Sequence, residues 1–190
     1  VGIPLRVEGI SNLPDDQPCI LAVNHASYID GILLAELLPR AYTIVAKSEL
    51  RNHWIPRLFI EKLQGKFVDR SGLQAGTDVA LRLEQLAQAG RSLLFFPEGT
   101  FEEYPGLLSF HMGAFVAASR SGLPVVPITI RGSRPIMGGR TWFPRHGPVR
   151  VIVSPPISPA GNSWNDAMML RNAVRQVILE NCGEPDLTGV

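Results

Sequence analysis

Cysteine is scarce in this chain: only Cys19 and Cys182 occur in 190 residues. Cys19 opens an apolar run and Cys182 lies near the C-terminus, with none of the paired spacing that zinc binding or thiol exchange needs. Two inert thiols in a reducing compartment are expected. Long hydrophobic runs are missing as well. No stretch approaches the ~20 consecutive apolar residues that span a bilayer, and no charged-then-apolar leader opens the chain. There is no Walker loop and no Gly-x-Gly-x-x-Gly, which leaves nucleotide chemistry without support. No cluster of Cys, His and carboxylates has metal-ligand spacing, so no metal is expected. Net charge is small too: 18 basic against 17 acidic residues gives +1, which argues against a dedicated nucleic-acid binder.

One local absence hides inside that balance. From Tyr104 to Asn165 there is no Asp or Glu, while Arg120, Arg131, Arg134, Arg140, Arg145 and Arg150 all fall there. Such a stretch predicts a positive region, suited to phosphates or an anionic membrane surface, or else a plain solvated basic face.

What is present is an ordinary globular mixture, 45% hydrophobic and 18% charged, long enough for one domain with a sizeable core. Residues 1–190 are therefore expected to form a single domain. The first residue is Val1 rather than Met, which predicts a piece of a longer chain. Short apolar, β-branched runs predict strands at Ile20–Val23, Tyr42–Ala46, Lys66–Val68, Ser92–Phe96, Val125–Ile130 and Val149–Val153. Between them, helices are predicted at Ile29–Leu38, Thr77–Ala89, Met112–Ser121 and Trp164–Asn181, closed by Gly90, Gly122 and Gly183 where glycine stops are needed. Gly132–Pro148 is expected to be a long loop. This alternation implies an α/β fold, a central mixed or largely parallel sheet covered by helices. In such sheets the ligand site lies beyond the carboxyl ends of the strands.

The first candidate for chemistry sits at that place. Asn24-His25-Ala26-Ser27-Tyr28-Ile29-Asp30 directly follows the first predicted strand, with Ser27 a candidate N-cap for the next helix. On a continuous helix, residues five apart would lie about 140° around the axis and could not meet. If His25 instead occupies the turn ahead of the helix, Asp30 can fold back onto its ring, fix the tautomer and leave the other nitrogen as a base. The bland alternative is a histidine at a helix start beside an exposed aspartate.

Three further segments join this one. Gly65-Lys66-Phe67-Val68-Asp69-Arg70, Phe96-Pro97-Glu98-Gly99-Thr100 and Val125-Val126-Pro127-Ile128 follow it in order. With these four blocks the sequence resembles the lysophosphatidic acid acyltransferase family of glycerolipid acyltransferases, over roughly residues 20 to 131. Each block alone is weak; the ordered set is specific. The resemblance implies transfer of a fatty acyl group from acyl-CoA or acyl carrier protein to the hydroxyl of a lysophospholipid, without a cofactor. His25, oriented by Asp30, would be the general base. No acyl-enzyme is expected, and the absence of a Gly-x-Ser-x-Gly elbow agrees. Glu98, Gly99 and Thr100 would hold the acceptor, with backbone N–H groups near Gly99 facing the thioester oxyanion. Arg70 and Lys47 would contact phosphate, and Pro127 would shape the strand and line the acyl pocket. A lipid-binding domain without activity, or a thioesterase using the same pair on water, are the alternatives.

Two positions depart from the family's pattern. Phe101, followed by Glu102 and Glu103, stands where an arginine is usual, and His111 where a lysine is usual. Both changes remove positive charge from the headgroup side and leave the acceptor's headgroup open. Peripheral membrane contact on the cytoplasmic face is expected from two basic, aromatic segments. One holds Trp54, Leu58 and Phe59; the other, residues 135–148, holds Ile136, Met137, Trp142 and Phe143 beside Arg140 and Arg145.

Overall fold

The computed structural model describes residues 3–38, 42–47, 66–68, 85, 88–139, 143 and 145–188, with backbone only at 44–47 and 66–68. Seven strands form one sheet: β1 (Leu5–Glu8), β2 (Ile20–Val23), β3 (Thr43–Lys47), β4 (Lys66–Val68), β5 (Leu93–Phe95), β6 (Val125–Arg131) and β7 (Val149–Val153). Their order is β1-β7-β6-β2-β5-β3-β4. Every pairing is parallel except β6 with β7. Among the described residues, four α-helices accompany them, beside a 3-10 turn at Ile10–Asn12: α1 (Asp30–Leu37), α2 (Gly113–Ser121), the single turn α3 (Arg134–Met137) and α4 (Trp164–Cys182).

Strands β2, β4 and β7 occupy the residues expected of them, and the other predicted strands shift by one residue at an end, within the usual uncertainty of strand ends. β1 was not foreseen. None of its four residues is buried, so hydrophobic periodicity leaves little mark on them. It pairs in parallel with β7, Arg6 opposite Arg150, and Glu8 bridges both guanidinium groups at 2.8 and 2.6 Å. The predicted long loop after β6 also contains α3, because Ser133, Arg134 and Pro135 start one helical turn there. Most of the predicted helix 77–89 lies outside the described residues; its end is present, with Ala89 N donating to Gln85 O and Gly90 at φ 73°.

The period-two alternation of the buried strands separates two cores. Ile20, Ala22, Leu93, Phe95 and Val125 face α2 and α4, while Leu21, Val23, Leu94, Val126 and Ile128 face α1 and α3. α4 contributes Ala167, Leu170, Val174, Ile178 and Cys182, a stripe at helical spacing, and each larger aliphatic adds about 1.5–3 kcal/mol of burial. Its start is fixed by a capping box between Ser163 and Asp166 and its end by Gly183 at φ 71°. Cys19 and Cys182 are both buried, and burial raises the Cys182 thiol above its ordinary pKa.

Pro127 is buried within the central strand β6, beside Ala22 of β2. A proline there is tolerated only where no donor is required. Its carbonyl accepts from Ser154 N at 2.9 Å, so its missing N–H faces β7 just beyond the last paired residues, Ile128 and Val153.

Candidate active site

At the carboxyl end of β2 the chain leaves the sheet, and Asn24 determines where. Its amide donates to the Ile130 carbonyl at 2.9 Å and accepts from the Ile130 N–H at 2.7 Å, extending the hold of β6 by one residue. On the other side, the carboxylate of Glu98, just past β5, accepts from the His25 N–H at 2.7 Å. The main chain of His25 is therefore clamped from both neighbouring strands.

His25 precedes the helix, and Asp30 is the first residue of α1. Asp30 Oδ2 accepts from the Ala26 and Ser27 amides, each at 2.8 Å, and lies 3.0 Å from His25 Nδ1. These two amide bonds turn the carboxylate back over the turn it follows. That is how residues five apart meet when a continuous helix would separate them. A carboxylate oxygen has no proton to give, so Nδ1 is the donor in this contact, and in a neutral ring Nε2 then keeps its lone pair. Asp30 is fully buried, whereas the His25 side chain is 22% exposed and open to a reactant. Ser27 is not the helix N-cap. The cap position is Ile29; the Ser27 hydroxyl donates to the Met137 carbonyl at 2.8 Å and accepts from the Ile29 N–H at 3.3 Å.

Aromatic rings enclose the imidazole. Phe96 stacks on it with centroids 4.3 Å apart, and Phe101 meets it edge-on at 4.7 Å. Tyr28 in turn stands at 82° to Phe101, 4.9 Å away, and is largely exposed. The sequence singles out Phe101 only as a departure; Tyr28 and Phe96 lie within the first and third blocks, but no contact with the imidazole was expected of them.

Glu98 is buried, with Oε1 on His25 N and Oε2 on Leu108 N at 2.9 Å. Its carboxylate thus points inward, and Gly99 and Thr100 form the open part of the turn. Burial pushes the Glu98 pKa up to about 7, against the smaller downward pull of the two amides. Gly99, at φ 75°, spends its own N–H on the Phe96 carbonyl at 2.9 Å, so that amide is not available to an oxyanion.

The basic region is partly neutralised from outside the acid-free stretch: Arg134 pairs with Glu184 and Arg150 with Glu8. Of the predicted membrane residues, Ile136 is instead in the core at 1% exposed, while Phe143 is 81% exposed. Lys47 ends β3, with only its backbone described. Arg70, Trp54, Leu58, Phe59, Arg140 and Trp142 lie outside the described residues.

A sequence model of the Acyltransferase family matches residues 4–131, which contain all four blocks. The chain belongs to the acyltransferase family. It is 34% identical over 153 residues to the chloroplastic 1-acyl-sn-glycerol-3-phosphate acyltransferase BAT2 of Brassica napus, covering 80% of this chain and 44% of that protein. It is 30% identical over 181 residues to the alpha enzyme of the same name from Mus musculus, covering 94% and 63%. The chain spans about half the length of the first of these relatives. Among solved structures, the 1-acyl-sn-glycerophosphate acyltransferase PlsC from Thermotoga maritima superposes with a TM-score of 0.74 at 28% identity, covering 94% of this chain and 70% of that one. The acyltransferase family thus accounts for the sheet and its flanking helices.

Proposed function

We propose that this acyltransferase-family chain transfers a fatty acyl group from an acyl thioester, carried by CoA or acyl carrier protein, to the hydroxyl of a lysophospholipid. The observation that carries this is the 3.0 Å contact of His25 Nδ1 with buried Asp30, in a site clamped by Asn24 and Glu98. His25 Nε2 takes the hydroxyl proton as the oxygen attacks the thioester carbonyl. Asp30 holds the ring and offsets its charge as it becomes imidazolium. The proton then passes to the departing thiolate, so no covalent enzyme intermediate forms. Gly99 and Thr100 line the acceptor side, and Arg70 and Lys47 contribute phosphate contacts. Glu98 serves by holding the His25 main chain. A panel of lysolipid acceptors with one labelled acyl-CoA, read by product identity, tests the proposal. Fatty acid released at the same rate with and without acceptor would make the protein a thioesterase, and no turnover of thioester would make it a lipid-binding domain.

The relatives are named for 1-acylglycerol-3-phosphate, a phosphomonoester with up to about two negative charges at neutral pH. In this chain the ring of Phe101 fills the place beside His25, with exposed Glu102 and Glu103 next in sequence. Aromatic faces beside carboxylates suit an ammonium headgroup better than a dianion. The acceptor range therefore extends to zwitterionic lysolipids such as lysophosphatidylethanolamine. Phe101→Arg is expected to shift preference toward lysophosphatidate by about ten- to a hundredfold, the worth of one charge-assisted hydrogen bond. Competition between the two lysolipids, followed by product mass, measures it. A strong lysophosphatidate preference in the wild type that Phe101→Arg leaves unchanged would place headgroup selection elsewhere.

Both lipid substrates and the two-tailed product require access to a bilayer. No described helix is long and apolar enough to cross one. We place the contact at the membrane surface on its cytoplasmic side, through exposed Phe143, the Arg131–Arg150 region and the segment of Trp54, Leu58 and Phe59. Binding to anionic vesicles is expected to weaken as salt rises, while binding to neutral vesicles is weaker at every salt. Sedimentation with liposomes checks this, and equal, salt-independent binding to both vesicle types removes the electrostatic part.

A further inference from the structure

The family match ends at Arg131, yet two residues beyond it grip the site. Arg134 opens α3, and its side chain is only 11% exposed. Its guanidinium forks onto Glu184, just past α4, with Nε on Oε1 and Nη2 on Oε2, both at 2.7 Å. The remaining nitrogen, Nη1, donates to the Glu102 carbonyl. Glu184 Oε2 also accepts from the Gly106 N–H at 2.8 Å. One ion pair therefore holds both ends of the segment 102–106. On one side of that segment lies Phe101, against the His25 ring; on the other lies Leu108, whose N–H is held by Glu98.

The other half of the site is tied to the same turn of helix. α3 ends at Met137, whose carbonyl accepts from the Ser27 hydroxyl and from the Tyr28 N–H at 3.2 Å. Arg134 and Met137 are the two ends of the four residues of α3, whose Ile136 and Met137 amides both donate to the Ser133 carbonyl, at 3.0 and 3.2 Å. Gly138 keeps it tight, since a Cβ there would come within 2.7 Å of the Arg134 carbonyl.

We infer that Arg134 and Glu184 form a positioning pair, which holds the His25–Asp30 turn and the Glu98–Leu108 segment in one fixed relation during acyl transfer. The inference rests on the acyl-transfer proposal for its kinetic consequence but not for its structural one. A planar fork suits the role: it makes three bonds in fixed directions, which an ammonium on a flexible stem does not reproduce. Glu184 and Arg134 are also the charged groups that act on Glu98, the first raising and the second lowering its pKa.

Three variants test it: Glu184→Gln, which keeps the acceptor for Gly106 but loses the charge, Arg134→Lys, which keeps the charge but loses the fork, and the two combined. Each single change is expected to lower kcat about tenfold with little change in the acceptor KM, because chemistry rather than binding is misaligned. The double variant should be no slower than the worse single one, since both remove the same contact. Amide hydrogen exchange gives a second readout that needs no turnover. Glu184→Gln should accelerate exchange at Tyr28, far away in sequence, as well as at Gly106. If Arg134→Lys does not fold, Glu184→Gln alone decides. A wild type without acyl transfer would reject the proposed activity. Unchanged Tyr28 exchange in folded Glu184→Gln, or single effects that multiply in the double variant, would overturn the pair.

Discussion

Replacing His25 with alanine is expected to lower acyl-transfer turnover by about 10²–10⁴-fold while leaving the protein folded. The ring is not part of either buried core; it lies over the edge of the sheet, and its place is set by main-chain bonds that alanine retains. His25 N still donates to Glu98, and Asn24 still holds Ile130. Asp30→Asn should lower turnover as well, for a different reason. Asp30 Oδ2 collects the Ala26 and Ser27 amides together with His25 Nδ1. An uncharged amide keeps an acceptor for some of these donors but no longer stabilises the imidazolium that forms when the acceptor's proton is taken. Steady-state kinetics beside a thermal melt check both variants. Near-normal turnover in a folded His25→Ala protein would end the general-base mechanism.

Glu98→Ala is expected to be the most damaging substitution for the fold around the site. It removes the acceptor of two amides, His25 N and Leu108 N, at a position only 4% exposed. A donor left without its partner costs about 1–3 kcal/mol when fully buried; both amides are only part-buried, so a total loss of about 1–3 kcal/mol follows, and turnover falls because His25 loses one of its two clamps. Glu98→Gln retains one acceptor oxygen and should lose roughly half as much. The carboxylate also makes stability and activity run in opposite directions with pH. Its ordinary pKa of 4.5 rises to about 7 in the fold, chiefly through burial, with Glu184 adding to the rise and Arg134 and the two amides opposing it. The folded protein therefore keeps a proton that the unfolded chain releases. This group's contribution to stability is complete below about 4.5 and is lost as pH climbs through about 7. Only the ionised form, however, accepts both amides with both oxygens. The wild type should thus lose stability through this group between about pH 4.5 and 7, while turnover rises as the folded carboxyl ionises around pH 7. Comparing the wild type with Glu98→Gln across that range isolates the effect of this carboxyl from that of every other group. Identical pH profiles for the two proteins would show that Glu98 does not titrate there.

Much of the fold was legible because it is written between adjacent residues. Ile20–Val23 and Val149–Val153 are short, β-branched and bounded by turn residues, and a strand is the only economical way to bury them. The glycines after α2 and α4 mark their ends because the left-handed cap favours a residue without Cβ. The His25–Asp30 contact was legible for a related reason: a strand, a turn and a helix start lie within seven residues, and only that break in regular structure lets the two side chains meet.

Other features depend on partners far away in the chain, where local pattern carries no information. β1 belongs to the sheet because its backbone pairs with distant β7, from Leu5 on Val149 to Glu8 on Ile152, with Glu8 meeting Arg150 beside the pair. Glu98 reads as a polar residue in a tight turn, and only the packing of β5 beside β2 turns its carboxylate onto the His25 amide. Arg134 counts as one more cation in an acid-free stretch until α4 brings Glu184, fifty residues on, to its guanidinium. The sequence by itself determined most of the strands and helices and the turn that carries His25, because periodicity and turn chemistry act over a few residues. Strand order, the inward turn of Glu98 and the pairing of Arg134 were decided only in the tertiary structure, because each requires two distant segments to leave water together and satisfy one another's polar groups there.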